Sequence, residues 1–539
     1  MINRKRFRFR IFIPVFPNFN IYTSLASHTT SIGPIYVATN ASKLDNWDVE
    51  IIDENNCHGR FYPRDKNNLL DHRQLQKERP ADAVGFYASI SSTAPRIYEL
   101  AAFYKSAGVK TVAGGKHVEA LIEEALDHDI DVVVLREGEI TIKELLSAWE
   151  KNQDLSDIQG IAFLKDGSVY KTPERALIQD FDILPLPDFN LMRYAKIKLY
   201  PITRTRGCNS NCEFCAVKDK ARCSSPENMM NQIRHLVETH GAREFFEASD
   251  HFAANRQEAI EFCNLLKEYQ QKYKIKLKIT VQTRITDAKY PDLLEAMKKA
   301  NIHNVCIGYE SPIDEELIAM RKGYLSKDLI NWTNTFHEHG FFIHGMFIFG
   351  YPRKSDVSHK VIPLSEKAKY FKDFIKKARI DTLQVLLTIP LPGTDLRERL
   401  IQENRIFTID RVGWEYYDGQ YPLFMPDDGL EPEEIQQIVG DLMYRFYNFS
   451  NFWKILKNIL INFPAIVFTS AFTIVVGRVK YITLAFNIWH RRYFRNYMLR
   501  FGGYFIVKNW FKTFRKDAFL DKLKIAKKEL DVKNETKIY

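Results

Sequence analysis

A chain of 539 residues is too long for one ordinary domain, and 45% apolar with 27% charged residues is a normal globular balance. That balance excludes a disordered chain. The seven cysteines, at 57, 208, 212, 215, 223, 263 and 306, form no paired framework, which excludes a disulfide-dense scaffold and fits a reducing cytoplasm. The net charge of +10 is uneven: residues 451–539 hold 18 Lys and Arg against 5 Asp and Glu, so the first 450 residues sum to −3.

The chain opens with "MINRKRFRFRIFIPVFPNFN", a basic start and an apolar run too short before its proline for a signal peptide's core. An opening strand is expected there. The segments 47–53, 82–89, 109–115 and 130–139 read as β-branched strands bounded by turn residues, and 92–108 and 117–129 carry apolar residues at helical spacing. Such alternation predicts a parallel sheet with helices on both faces over residues 1–150. Ligands of these sheets bind at the carboxyl ends of the strands, where Ser89, Ser91, Gly114, Gly115 and Gly138 fall.

Residues 151–195, with Pro185 and Pro187, read as an extended connector between domains. A second α/β series follows over 196–420, with strands expected at 200–206, 243–248, 277–283, 303–309, 341–349 and 382–389. Six strands in βα order predict a partial (β/α)6 TIM-type barrel. Residues 421–539 become helical, aromatic and basic.

Three cysteines fall within eight residues of "RGCNSNCEFC" (206–215), spaced C-x3-C-x2-C. Structural zinc takes four ligands, usually as two separated pairs, so zinc with Cys223 as fourth ligand stays open but fits the spacing poorly. Iron–sulfur clusters normally take four thiolates, and three imply a 4Fe-4S cluster with one iron left open. Arg204 and Arg206 stand near enough in sequence to offset its charge.

This motif, placed directly after a barrel's first strand and with Phe214 before its last cysteine, resembles the signature of the radical S-adenosylmethionine (SAM) superfamily. The resemblance implies that Cys208, Cys212 and Cys215 ligate the cluster and that SAM chelates the open iron. Electron transfer then breaks the sulfonium bond to give a 5′-deoxyadenosyl radical. Along the barrel, "FFEASD" (245–250) resembles the family's second strand, with Glu247 and Asp250 near the SAM amino group. "VQTRI" (281–285) resembles the third, with Arg284 toward the SAM carboxylate or the following acid. "VCIGYES" (305–311) resembles the fourth, with Gly308 admitting adenine and Glu310 and Ser311 facing the site.

The α/β domain ahead of the barrel resembles the Rossmann-like (flavodoxin-like) domain of the cobalamin-binding class of that superfamily, through "VGFYASISS" (84–92), "VAGGKHVEA" (112–120) and "VVLREGEITIKELL" (133–146). The resemblance implies cobalamin, with Gly114 and Gly115 giving backbone approach and the turn 137–139 closing the rim. One departure stands out. Where many cobalamin proteins carry D-x-H-x-x-G, Asn55 follows Asp53, His58 is out of place, and His117 reads as the start of a helix, so the lower axial ligand is not expected to be histidine.

Residues 451–516 hold 12 Lys or Arg, no acid and 17 aromatics, a pattern of interfacial helices that favours an anionic membrane surface over nucleic acid. Within them, 458–477 lacks charge over twenty residues, the length of a membrane span. The expectation is a cytoplasmic enzyme, peripheral on the inner face of the membrane, fed by a flavodoxin- or ferredoxin-type electron donor. It would methylate an unactivated carbon of a small-molecule or lipid-like substrate. Ring closure or rearrangement on a natural-product scaffold, and a non-catalytic iron–sulfur or cobalamin sensor docked to membrane, are the alternatives.

Overall fold

The computed structural model describes residues 6–20, 22–59, 62–354, 356–357, 361–427, 430–457, 460, 494–508 and 519–536. The first eight strands are β1 Phe7–Ile13, β2 Trp47–Asp53, β3 Ala83–Tyr87, β4 Lys110–Gly114, β5 Val132–Val134, β6 Ile161–Lys165, β7 Ser168–Lys171 and β8 Met192–Arg193. They form one sheet in the order β7-β6-β5-β4-β3-β1-β2-β8, parallel from β5 to β8. The expected opening strand is β1, and it lies at the centre. The chain leaves β1 toward β2 on one side and returns to β3 on the other, so the crevice of the sheet opens beyond β1 and β3. Their packing is close: Phe9 pairs in register with Ala83, and a Cβ at Gly85 would lie 2.9 Å from the Phe9 ring.

Two expectations change here. The strand expected over 130–139 covers only Val132–Val134, because Arg136 turns left-handed (φ +61°) and Gly138 opens the helix Gly138–Lys151. The connector is extended only in part: around Pro185 and Pro187 it runs extended between two short turns, Phe181–Ile183 and Phe189–Leu191. β6 and β7 form a hairpin through Asp166 and Gly167, both at positive φ, and add antiparallel strands to one edge of the sheet, while β8 pairs with β2 at the other. Asp-Gly between apolar runs is a strong hairpin signal.

The remaining strands are β9 Leu199–Ile202, β10 Thr205–Arg206, β11 Arg222–Cys223, β12 Glu244–Glu247, β13 Lys278–Thr283, β14 Ile302–Glu310, β15 Phe342–Phe349 and β16 Thr382–Leu387. Strands β9 and β12 to β16 form a six-stranded parallel sheet in chain order, each followed by an outer helix, which is the partial barrel expected. Along β15, buried Ile343, Phe347 and Phe349 join the core with Phe336 and Phe371 of the outer helices. The half-buried alternate residues His344, Met346 and Ile348 face the interior.

An exposed β16 would leave a row of unpaired backbone groups. Instead the helix Pro432–Phe446 packs on it, and the Tyr447 hydroxyl donates to Leu383 O and accepts from Leu383 N–H, both at 2.8 Å. The helix Phe519–Thr536 packs on the stretch that ends the barrel, where Phe519 contacts Tyr416 and Tyr421. Phe19 of the first domain stacks on the same Tyr416 at 5.2 Å. Among the described residues no helix is long and apolar enough to cross a membrane. Apart from Leu460, the uncharged segment 458–477 lies outside the described residues, as does much of 451–516.

Candidate functional site

The cysteine loop leaves the barrel at the carboxyl end of β9 and is closed at its base. Gly207 sits at φ +87°, where a Cβ would lie 2.4 Å from Lys220 O and 2.7 Å from Asp219 O. Its N–H donates to Asp250 at 2.8 Å, and Cys208 N–H donates to Asp219 O at 2.9 Å. Within the loop, Cys215 N–H donates to Cys212 O at 3.2 Å.

Glu213, between Cys212 and Phe214, fastens the loop to the rest of the barrel. Its buried carboxylate accepts from Tyr351 Oη at 2.6 Å and from Arg399 Nε and Nη2 at 3.0 and 3.1 Å, and it pairs with Lys354 at 2.9 Å. These partners hold its pKa below the usual carboxylate value despite the burial that opposes them. Phe214 meets Tyr351 edge-on at 6.2 Å.

Cys208, Cys212 and Cys215 are all half-buried. Burial is the main force raising the Cys212 and Cys215 thiols; Cys208 adds to both, and Cys212 adds to Cys215. Lys322 and Arg284 draw Cys212 the other way. Among the described residues no three His, Cys, Asp or Glu side chains are gathered as ligands of one metal ion. A cubane places each thiolate on a different iron and calls for wider spacing. Three half-buried thiols on one short loop, with two cations acting on Cys212, fit a 4Fe-4S cluster with one open iron.

Around this loop the sequence-predicted residues divide. Glu310 ends β14 at φ +62°, across a register shift beside Gly308, and its carboxylate pairs with Lys322 at 3.1 Å. A Cβ at Gly308 would fall 2.3 Å from Glu310 Oε1, so the glycine leaves room for that carboxylate. Ser311 is turned inward, donating to Glu316 at 2.5 Å and accepting from Ile313 N–H at 3.0 Å. Glu247 is fully buried; Ser249 donates to its Oε1, and among the described residues its Oε2 has no hydrogen-bond partner. Burial pushes its pKa up to about 7.

The expected role of Arg204 and Arg206 does not hold. Arg204 is buried among the carbonyls of Ser224 and Phe252 and pairs with Glu258 at 2.6 Å. Arg206 reaches across to the first domain, to Glu137 at 3.1 Å and Glu139 at 2.5 Å. Arg204 lies in the bend between β9 and β10, while Arg206 ends β10, so the two side chains do not share one strand's face. The cations that do act on Cys212 come from elsewhere, and Lys322 was not anticipated. Its only sequence signal is "MRKGY" (320–324), a turn whose Gly323 takes φ +75°.

Between the two sheets lies a cavity of about 480 Å³. Its floor is apolar (Phe9, Ile11, Val112, Val134, Ile142), and Ser89, Gly114, Gly115 and Gly138 line it as expected. Gly207, Val217, Asp219 and Asp250 of the barrel line the same space. Gly115 is at φ +135°, and a Cβ there would lie 2.5 Å from Ala88 C and 2.6 Å from Ser89 N. A glycine-rimmed, apolar crevice at a switch point suits a large cofactor with an extended tail such as cobalamin. Ser91 is not in that lining: it is buried, with its hydroxyl 3.1 Å from His117 Nδ1. His58 bonds Ser27 O at 2.9 Å.

Charge locks the seam. Glu137 accepts from Arg206 and Arg222, each at 3.1 Å, and from Ile178 N–H at 2.7 Å. Arg136 pairs with Asp219, whose carbonyl closes the cysteine loop. The turn expected to close the cofactor rim thus also clamps the two domains.

An open-iron cysteine loop on a partial barrel, facing a glycine-rimmed α/β crevice, defines a radical SAM protein with a second cofactor domain. The family models agree: residues 202–360 match the radical SAM superfamily and residues 21–146 the B12 binding domain. The chain is a radical SAM enzyme with a cobalamin-binding domain, a class that uses a 4Fe-4S cluster, SAM and cobalamin. An uncharacterized methyltransferase of Pyrococcus horikoshii is 28% identical, over 70% of this chain and 81% of that protein. The hopanoid C-2 methylase of Rhodopseudomonas palustris is 25% identical over 44% of each. The anaerobic magnesium-protoporphyrin IX monomethyl ester cyclase of Cereibacter sphaeroides is 27% identical, over 66% of this chain and 56% of that one. In fold, the chain is similar to the cobalamin-dependent SAM radical enzyme OxsB, with a TM-score of 0.60 at 14% identity over 94% and 84% of the chains. It is also similar to the methyltransferase TsrM of Kitasatospora setae, with a TM-score of 0.57 at 15% identity over 74% and 78%.

Proposed function

We propose that the protein methylates an unactivated carbon of a hydrophobic, ring-containing small molecule held between its two domains. The observation that carries this reading is that Gly115 of the first domain and Gly207 of the cysteine loop line one cavity. A methyl carrier and a radical source would then share a crevice. When bound, the cluster with SAM supplies the 5′-deoxyadenosyl radical, and cobalamin supplies methyl-transfer chemistry. Cys208, Cys212 and Cys215 would hold the cluster, and Arg284, Glu310 and Asp250 would border SAM. The seam of Glu137, Arg206 and Arg222 keeps the domains closed, which limits water in the crevice. The apolar lining of the cavity supports a hydrophobic substrate, as do relatives named for hopanoid and magnesium-protoporphyrin substrates.

The test is direct. Protein reconstituted anaerobically with iron, sulfide and hydroxocobalamin, given reductant and SAM, is expected to release 5′-deoxyadenosine, while Cys212→Ala releases none. No release from the native protein would overturn the reading. Ring closure is the second reading, favoured by the cyclase relative; the mass of product formed from a ring substrate separates methyl gain from hydrogen loss. Contact with an anionic membrane rests on the sequence of 451–516. Sedimentation with and without phosphatidylglycerol vesicles decides it.

A further inference from the structure

Lys322 stands in the turn that follows the helix Asp314–Ala319, between Arg321 and Gly323, both at positive φ. That turn is fastened to the cysteine loop, because Glu213 N–H, the residue next to Cys212, donates to Met320 O at 3.1 Å. From there the lysine's side chain, 12% exposed, runs inward. Its Nζ lies 3.1 Å from Glu310 Oε1, 5.9 Å from the Phe214 ring centre and 5.7 Å from that of Tyr324. The Tyr324 hydroxyl in turn donates to Gly308 O at 3.1 Å, so both sides of the Gly308–Glu310 bulge are tied to this turn. The cation and its carboxylate partner thus stand beside Phe214, which lies between Cys212 and Cys215 on the cysteine loop.

A non-glycine residue in the left-handed region persists only where its surroundings over-determine it. For Glu310 the ammonium group is the visible constraint. The same charge has an electrical consequence. A cation beside a centre that gains an electron stabilises the reduced form, more so where burial lowers the local dielectric, and an anion does the reverse.

Resting on the cluster reading above, we propose that Lys322 is the positioning cation of this site. It holds Glu310 in its left-handed conformation and raises the reduction potential of the cluster bound through Cys212. Lys322 and Glu310 then act on that potential with opposite sign, which mere packing would not produce.

The experiment is a potentiometric titration of the reconstituted holoprotein, followed by electron paramagnetic resonance, with iron and sulfide measured on each sample. Lys322→Met is expected to keep its iron and to lower the reduced-to-oxidised ratio at a fixed potential about tenfold, a shift of about 59 mV for a one-electron couple. Lys322→Arg should restore most of the loss, and Glu310→Gln should move the potential upward. Iron-loaded variants that all titrate at the native potential would overturn the proposal alone. If Lys322→Met fails to fold, Glu310→Gln decides: an upward shift supports the assignment and no shift overturns it. Native protein that takes up no iron overturns the cluster reading, and this proposal with it.

Discussion

Arg399 presents Nε and Nη2 to the carboxylate oxygens of Glu213 at 3.0 and 3.1 Å, so a helix at the far end of the barrel grips the loop residue beside Cys212. Glu213 is almost wholly buried, and a fork-to-carboxylate pair there fixes geometry as well as energy. Removing one partner of a buried pair is costly because the other charge stays buried. Arg399→Met is expected to cost about 2–3 kcal/mol, below the usual range for such pairs because Tyr351 and Lys354 remain. Faster amide exchange over residues 207–219 and a lower thermal midpoint would show it; unchanged exchange in the loop would refute the latch.

The loop's other anchor is the contact of Gly207 N–H with Asp250. Gly207→Ala meets both a left-handed φ and a carbonyl at 2.4 Å, so it should lose most bound iron while far-ultraviolet dichroism stays native. Asp250 offers a finer comparison. Asp250→Asn keeps an oxygen able to accept from Gly207 and should retain iron, whereas Asp250→Ala should not. Equal iron in the two would mean that Asp250 does not position the loop.

How far the sequence foretold this site follows from what each signal encodes. The three cysteines were legible because their spacing is itself the chemistry, and the barrel strands because apolar alternation recurs six times. Gly114, Gly115 and Glu310 were legible as ends of strands. Arg204 and Arg206 were misplaced because nearness in sequence does not say which way a side chain points. Ser91 was misplaced for a similar reason: the helical turn Ser91–Thr93 rotates it toward His117. Lys322 was invisible because it lies over a hundred residues from Cys212, and only the barrel's closure brings them together. The hairpin β6–β7 was also readable, from Asp-Gly at 166–167 between two apolar runs.

Gly115 separates the two cofactors experimentally. Its φ of +135° and the backbone 2.5 Å from a would-be Cβ leave no room for a side chain on the floor of the interdomain cavity. Gly115→Val is therefore expected to lower cobalamin retained per chain at least tenfold, read from the visible spectrum, with iron content unchanged. Parallel loss of iron would show general unfolding instead, and full cobalamin retention would place that cofactor elsewhere.

Acid sensitivity is expected at the seam where His117 of the first domain meets Trp414 at the end of the barrel segment. His117 is buried with its Nδ1 3.1 Å from Ser91 Oγ and its Nε2 3.3 Å from Tyr98 Oη, edge-on to Trp414 at 4.7 Å. Glu124 lies 3.9 Å from its Nε2, but Glu124 already accepts from Tyr98 at 2.8 Å and Trp414 at 2.7 Å. Burial is the larger force and the Arg397 guanidinium the smaller, and together they push the imidazole down to about 4 from its usual 6.5. A depressed histidine favours the neutral ring in the folded state. Its contribution is therefore fully present above pH 6.5 and is lost as pH falls through about 4. The whole effect is on the order of 3 kcal/mol. His117→Gln keeps hydrogen-bonding capacity without a titrating group, so its thermal midpoint should fall less steeply than the native protein's between pH 6.5 and 4. Parallel curves for the two proteins would show that another group carries the acid sensitivity of this seam.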